Sequence, residues 1–228
     1  MAIRRGNSII TNGLVYYSDI SNSESYVSGS TQLYDLTKIN DSATLSGGTS
    51  FDSKYGGGII IDGIDGLITS PAVVLPNEFT ITQILKCTFG NSIEAGFMPI
   101  GGGDRLDGAD YRGYVWFRPN NNQIRVRING EVGPTFSNIN ASLFNNKLIS
   151  YTTTRNGNTS RFYINGVLLS STLDVANDNF DIRTIGSSYN YGAYTCSGSI
   201  YSTKLYDRPL TSEEILTNFN AQREKFGL

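Results

Sequence analysis

The sequence predicts an all-β fold, a jelly-roll sandwich of two antiparallel sheets with one short C-terminal helix. Short runs of alternating apolar residues, separated by clusters of Gly, Asn, Asp and Ser, extend from residue 14 to residue 206. Aromatic residues make up 11% of the chain and charged residues only 17%, a composition that suits strands better than helices. A helical pattern appears only after this region.

About ten segments have the alternation of strands. They are 14–17, 58–62, 79–89, 111–118, 123–129, 147–154, 161–164, 167–171, 182–186 and 199–206. In the segment 123–129, Ile124, Val126 and Ile128 share one face and are predicted to point into the core. The dipeptide at 165–166, Asn-Gly, separates two of the segments and predicts a hairpin with a type I′ turn.

The C-terminal segment predicts a single helix. Thr211 and Glu214 have the spacing of a capping box, in which each residue bonds the backbone N–H of the other. Ile215, Phe219 and Phe226 then recur at spacings compatible with one helical face. We therefore expect this helix to pack onto the sandwich.

Charge and composition exclude several classes of function. The chain has 18 Lys and Arg against 20 Asp and Glu and no basic run, so nucleic acid is not expected as a partner. No stretch approaches the ~18 apolar residues of a membrane span, and residues 1–8 lack the apolar run of a signal peptide. Histidine is absent, which removes Ser-His-Asp triads, Cys-His pairs and His-ligated metals.

Cys87 and Cys196 lie far apart and have no metal-ligand spacing. Two reduced thiols are the favoured interpretation, in keeping with synthesis in a reducing cytoplasm, and one disulfide is the alternative.

Three segments together resemble the laminin G-like, concanavalin A-like lectin/glucanase superfamily, in the form common among phage structural proteins. They are residues 10–19 (ITNGLVYYSD), residues 58–68 (GIIIDGIDGLI) and the region from residue 154 to residue 221, which ends in LYDRPLTSEEI and NFNA. Tyr34 stands where the family usually has tryptophan, and Gly66 replaces a second acidic residue.

The resemblance implies a concanavalin A-like jelly roll over residues 10–228, with residues 1–9 as an N-terminal arm that docks onto a partner. It also implies a bacteriophage virion protein, in the capsid decoration or the tail or fibre, which contacts other virion proteins and binds host glycans. The alternative is a soluble carbohydrate-binding lectin outside any virion. The oligomeric state is left open.

Glucanases that resemble this fold carry two catalytic carboxylates on a Glu-x-Asp-x-(x)-Glu strand, and no such run occurs here. We therefore expect no catalytic residue and predict a protein that is not an enzyme. A glycoside hydrolase is kept as a weaker alternative.

Two aromatic segments are candidates for glycan binding, because aromatic rings stack on sugars and amides bond their hydroxyls. The candidate residues are Tyr189, Asn190, Tyr191 and Tyr194 in one predicted loop, and Tyr114 and Trp116 on one strand face. The alternative interpretation places Trp116 in the core and the tyrosines at a protein contact.

Charged clusters allow two further hypotheses. Asp104, Asp107 and Asp110 follow three glycines and could offer oxygen ligands to Ca²⁺, although solvated turn-capping carboxylates are the favoured interpretation. Arg125 and Arg127 could steer acidic glycans, but alternating arginines on an outer strand face usually remain solvated.

Asp62 and Asp65 flank a turn glycine, and we expect them to cap that turn.

Overall fold

A computed structural model describes residues 8–88, 97–102, 113–128, 133–173, 178–186 and 197–228. The description below concerns these ranges.

The described residues form sixteen strands and one α-helix. The strands are β1 (Leu14–Asp19), β2 (Gln32–Leu33), β3 (Ala43–Ser46), β4 (Thr49–Asp52), β5 (Gly58–Asp62), β6 (Leu67–Leu75), β7 (Phe79–Thr88), β8 (Phe97–Gly101), β9 (Tyr114–Arg118), β10 (Gln123–Arg127), β11 (Thr135–Ser137), β12 (Lys147–Asn156), β13 (Thr159–Ile164), β14 (Val167–Leu173), β15 (Phe180–Ile185) and β16 (Ser197–Tyr206). The helix, α1, spans Ser212–Phe226, and single 3-10 turns occur at Lys54–Gly56, Pro119–Asn121 and Ala141–Phe144.

The strands build two eight-stranded antiparallel sheets. Sheet A has the order β14-β13-β12-β7-β16-β5-β4, with β1 paired to β16 outside this path. Sheet B has the order β11-β10-β9-β8-β15-β6-β3-β2. Two antiparallel sheets with one C-terminal helix confirm the predicted all-β sandwich.

The core lies between the two sheets and is rich in aromatic rings. Phe97 and Phe117 stack with their ring centroids 4.6 Å apart, and Tyr151 and Phe162 stack at 5.7 Å. Phe117 contacts both Tyr151 and Phe162 edge-on, so the rings of sheet B interlock with those of sheet A. Each such buried side chain contributes roughly 1.5–3 kcal/mol through removal of apolar surface from water.

The locally encoded elements form as predicted. Asn165 and Gly166 both have positive φ, 50° and 78°, as a type I′ turn requires. At the start of α1, the Glu214 N–H donates to Thr211 Oγ1 at 3.2 Å and the Thr211 N–H donates to Glu214 Oε2 at 2.9 Å. Ile124, Val126 and Ile128 are fully buried in the core.

The alternation pattern missed six strands, namely β2, β3, β4, β6, β8 and β11. Four of these have only two to four residues and are held by their partners. Strand β6 is longer, but Pro71 interrupts its pattern and Val74 is exposed, so its alternation is hard to read. Strand β8 adjoins residues outside the described ranges.

Cys87 corrects another prediction. It is fully buried and disulfide-bonded, so the favoured interpretation of two reduced thiols is wrong. The sequence contains one other cysteine, Cys196, which lies outside the described residues. Disulfides persist in oxidising environments and are rare in reducing ones, so the argument from reduced thiols to a reducing cytoplasm no longer applies.

Candidate functional site

The C-terminal helix covers the outer face of sheet A. Phe226 forms a buried apolar cluster with Ile84 and Tyr201, and Ile215 forms another with Tyr206 and its neighbours. Between these clusters, the helix side chains buried against the sheet are polar, namely Asn218 and Gln222. The sequence predicts Phe219 on the buried face, but Phe219 is only half-buried. The outer face of sheet A is therefore occupied by the protein's own chain.

Polar contacts fix the helix in place. The Asn218 amide donates to the Tyr206 hydroxyl at 3.0 Å and accepts the Ile10 N–H at 2.8 Å. The Lys204 ammonium donates to the Gln222 side-chain oxygen, and Lys225 forms an ion pair with Asp19 at 2.8 Å. Burial beneath the helix lowers the pKa of Lys204 to about 7, against the opposing effect of Asp19.

The outer face of sheet B lies on the opposite side of the sandwich from α1 and carries an aromatic and arginine cluster. In β9, Val115 and Phe117 point into the core, so Tyr114, Trp116 and Arg118 point outward. The Tyr114 and Trp116 rings contact edge-on, with centroids 6.3 Å apart. This confirms that the two residues share one strand face.

Trp116 lies on the outer face and yet is only 6% exposed. The Arg118 guanidinium lies 4.1 Å from its ring centroid, and the guanidinium of Arg125, which is opposite Trp116 in the ladder, lies 5.9 Å away. Both distances are within the range of cation–π attraction. Trp116 is therefore buried, as the alternative interpretation expected, although it lies on the outer side of sheet B and not between the sheets. The ring offers little free surface for stacking.

Arg127 behaves differently from Arg125, although the two alternate on the same strand face. Arg127 is 6% exposed and donates to the Gly133 carbonyl at 2.8 Å and to Thr135 Oγ1 at 3.3 Å. Arg127 therefore links β10 to β11 and is not solvated. The prediction of a solvated side chain holds only for Arg125, which is half-exposed.

Strand β15 adds a charged pair to the same outer face. Phe180 and Ile182 point into the core, which places Asp181 and Arg183 outside. Arg183 Nε bonds Asp181 Oδ2 at 3.2 Å and remains 43% exposed. The sequence analysis missed Arg118 and this pair. Arg118 already lies in the predicted segment 111–118, where alternation assigns it to the face of Trp116. Beginning the segment 182–186 two residues earlier would have found Asp181.

The other predicted site residues lie outside the described ranges. They are Tyr189, Asn190, Tyr191 and Tyr194 of the aromatic loop and Asp104, Asp107 and Asp110 of the acidic cluster. Within the described part of the chain, no group of three His, Cys, Asp or Glu residues could hold a metal ion. The calcium site stays a prediction.

The Asp62 carboxylate caps a turn, as predicted. Its Oδ1 accepts the backbone N–H groups of Ile64 at 2.9 Å, Asp65 at 3.1 Å and Gly66 at 2.9 Å. These hydrogen bonds hold the pKa of Asp62 below its ordinary value. The Asp65 carboxylate accepts the Gly48 N–H at 2.8 Å. These two carboxylates therefore have structural roles.

The geometry, two antiparallel sheets packed face to face with one sheet face covered by a helix, defines a jelly roll of the lectin type. The family comparison agrees, since the family model described as the concanavalin A-like lectin/glucanases superfamily matches residues 62–216. The chain belongs to this superfamily. A search of curated proteins gave no significant match. None of the helices in the described ranges has the length and apolar character of a membrane span.

Solved structures of similar fold include glycoside hydrolases. Trypanosoma rangeli sialidase in complex with sialic acid matches 96% of this chain at 18% identity with a TM-score of 0.65. This chain spans only 34% of that sialidase. Domain 4 of a GH43 extracellular arabinanase from Geobacillus stearothermophilus, in complex with arabinotriose, matches 89% of this chain and 96% of its own, at 16% identity and a TM-score of 0.64.

The binding domain of Paraclostridial Mosquitocidal Protein 1 is also similar. It matches over 92% of this chain and 52% of its own, at 14% identity and a TM-score of 0.64. At these identities the likeness concerns the fold.

These matches correct one prediction. The protein was expected not to be an enzyme, yet the structures that it resembles include sialidases and a domain of an arabinanase. The fold is thus enzyme-related, and the prediction of a protein that is not an enzyme is contradicted at the level of the fold.

Proposed function

We propose that this chain is a carbohydrate-binding domain that holds a saccharide on the outer face of sheet B. The observation that carries the proposal is the cluster of Tyr114, Trp116, Arg118 and Arg125 on the sheet face opposite the helix. Membership in a superfamily of lectins and glucanases supports it. The similar arabinanase domain, matched over 96% of its length and in complex with arabinotriose, supports it as well.

Different side chains of this cluster would provide hydrogen bonds and apolar contact to a bound saccharide. Arg125 and Arg183 are accessible donors whose guanidinium groups can bond sugar hydroxyls or a sugar carboxylate. The Trp116 and Tyr114 rings are 6% and 4% exposed, and the Arg118 guanidinium lies over the Trp116 ring. The Trp116 ring adds apolar contact to a sugar only when a ligand displaces that guanidinium. Asp181 Oδ2 orients the Arg183 guanidinium through their ion pair.

A glycan array that includes arabino-oligosaccharides and sialylated glycans tests the proposal. We expect the wild-type protein to bind, and the Arg125→Ala and Arg183→Gln variants to bind at least about tenfold more weakly, since each hydrogen bond to a charged group is worth roughly 1.5–3 kcal/mol. Arg223→Ala is the matched control, because Arg223 is exposed on α1, on the opposite side of the sandwich. A blank array, or equal loss in the control, would refute the sheet B site.

The same array run with Ca²⁺ and with a chelator tests the predicted calcium site. Binding that depends on Ca²⁺ and is lost in Asp107→Ala would support it. Binding that is unchanged by the chelator would remove calcium from the proposal.

We propose further that the domain is displayed on a phage particle, where it is assembled with other virion proteins after synthesis in the host cytoplasm. The sequence segments 10–19 and 205–215, which resemble phage structural proteins, support this placement. Mass spectrometry of purified particles tests it. Absence of the chain from the particles would favour the alternative, a lectin that acts outside a virion.

A further inference from the structure

Tyr55 has a backbone conformation that its residue type rarely adopts. Its φ is 54°, in the left-handed region, where a bulky side chain is strained. The other non-glycine residues with positive φ in the described ranges are four asparagines and one lysine. Glycine or asparagine at position 55 would form the same turn with less strain. Because strained residues cluster at ligand sites, the aromatic side chain is a candidate for a binding contact.

The Tyr55 ring is held by other rings and yet reaches solvent. It contacts Tyr201 edge-on, with centroids 5.4 Å apart and 84° between the ring planes, and its centroid lies 6.1 Å from that of Phe226. Gly58 lets the Tyr201 ring lie against the backbone, since a Cβ there would come within 2.7 Å of it. These contacts leave Tyr55 39% exposed. A fixed and exposed aromatic ring is suited to stacking on a sugar ring.

The Asp52 carboxylate lies next to this ring system and gathers hydroxyl groups. Its Oδ2 accepts the Tyr201 hydroxyl at 3.0 Å and the Ser199 hydroxyl at 3.1 Å, and its Oδ1 accepts the Lys54 N–H at 3.0 Å. Although partial burial opposes them, these hydrogen bonds lower the pKa of Asp52, so the carboxylate is ionised at neutral pH. Both hydroxyls direct their protons at Asp52, which leaves their oxygens as acceptors. The group therefore suits a ligand that brings hydrogen-bond donors.

Lys86 adds a donor on the same side of sheet A. Leu85 and Cys87 point into the core, so Lys86 points outward, and it lies opposite Ser199 in the ladder between β7 and β16. The half-buried Lys86 makes no side-chain hydrogen bond or ion pair with a residue of the described ranges. Its ammonium is therefore available to a ligand.

The helix ends before it reaches these groups. Along β16, Gln222 covers Lys204 and Phe226, the last residue of α1, covers Tyr201. Ser199 lies further along the strand. A corner of sheet A therefore extends beyond the end of α1.

We infer that this corner of sheet A, formed by Tyr55, Asp52, Ser199, Tyr201 and Lys86, is a second saccharide site that takes a neutral sugar. The Tyr55 ring stacks on the sugar, Asp52 and the two hydroxyl oxygens accept hydrogen bonds from sugar hydroxyls, and Lys86 donates to a sugar oxygen. A sugar carboxylate placed on these acceptors would face Asp52, which is why the site favours a neutral sugar. The site is separate from the one proposed on sheet B and goes beyond it.

An array of neutral oligosaccharides, arabinotriose among them, tests the inference on the full chain. We expect the wild-type protein to bind at least one of them, and Tyr55→Asn and Asp52→Asn to bind it at least about tenfold more weakly. Asparagine tolerates the positive φ at position 55, so Tyr55→Asn removes the ring without straining the turn. Tyr34→Asn is the matched control and should bind as the wild type does, since Tyr34 is 48% exposed and directly follows β2 of sheet B.

Two further variants keep the test decisive. Tyr55→Phe retains the ring and should retain binding. Arg125→Ala, which weakens a ligand of sheet B, should leave the neutral sugar bound at the corner of sheet A. Asp52→Asn preserves the shape of its side chain, so the test stands even if loss of the Tyr55 ring unfolds the turn, which circular dichroism checks.

Three outcomes would overturn the inference. The first is an array on which the wild-type protein binds no neutral oligosaccharide. The second is a bound neutral sugar that is retained in Tyr55→Asn or Asp52→Asn. The third is a bound neutral sugar that is lost in Tyr55→Phe, Tyr34→Asn or Arg125→Ala. Loss in Arg125→Ala alone would assign that sugar to sheet B instead, so failure of this inference is distinguishable from failure of the proposed function.

Discussion

The two outer faces of the sandwich are built from the same kind of sheet and yet differ in accessibility. On sheet A the protein's own helix covers polar side chains, including Lys204 and Tyr206, and satisfies them with Gln222 and Asn218. On sheet B, Arg125 and Arg183 remain accessible to solvent. One face is thus covered by the protein's own helix, while the other keeps two guanidinium groups in contact with solvent, and three predictions test that division.

The largest effect is expected for Phe226→Ala on the covered face. Phe226 is 1% exposed and packs on Tyr201 with ring centroids 5.8 Å apart. Loss of the ring leaves a cavity beneath the last turn of α1 and should lower the free energy of unfolding by about 3–5 kcal/mol. Urea denaturation measures this loss. Glu224→Ala, at an exposed site in the same turn, should change it by less than about 0.5 kcal/mol.

An intermediate effect is expected from the titration of Lys204. Its pKa is about 7 in the folded protein and 10.5 in the ordinary, exposed state. Between these values the unfolded chain binds the proton that the folded chain has lost, so stability should rise with pH by at most about 1.4 kcal/mol per unit. Asp19 on β1 and Lys225 on α1 are the charged groups that act on this ammonium.

Urea midpoints at pH 6, 7, 8 and 9 measure this rise. Lys204→Met removes the titrating group and should abolish the increase above pH 7. An unchanged pH dependence in that variant would show that Lys204 is protonated throughout this range in the folded protein.

The smallest effect on stability is expected for Arg125→Ala on sheet B. Its side chain is half-exposed, and its guanidinium lies 5.9 Å from the Trp116 ring centroid and donates to Gln123 Oε1 at 3.3 Å. We expect a change in unfolding free energy of no more than about 1 kcal/mol, although the same variant should lose glycan binding. A large loss of stability would mean that this face is structural as well.

The fold was predictable to the extent that it is encoded locally. The Asn165–Gly166 turn, the capping box at Thr211 and the apolar face of β10 depend on residues close in sequence, and all three form. Strands such as β2 and β3 are too short to show a period and exist because of their partners. The sequence alone does not show such pairings.

The candidate site was predictable only in part, for a related reason. Alternation placed Tyr114 and Trp116 together on one face. Whether a charged side chain is covered depends on which distant segment packs over it, as β11 does over Arg127 and α1 over Lys204. The disulfide at Cys87 likewise depends on tertiary proximity.

The place of β16 in sheet A has a consequence for how the protein is made. This last strand lies beside β7 on one side, and beside β5 and then β1 on the other. Until residue 206 has left the ribosome, those three strands have an unpaired edge toward a gap in the middle of the sheet. Sheet A can therefore close only after β16 has been synthesised, by non-local pairing that is slow and leaves the nascent chain open to aggregation in the meantime.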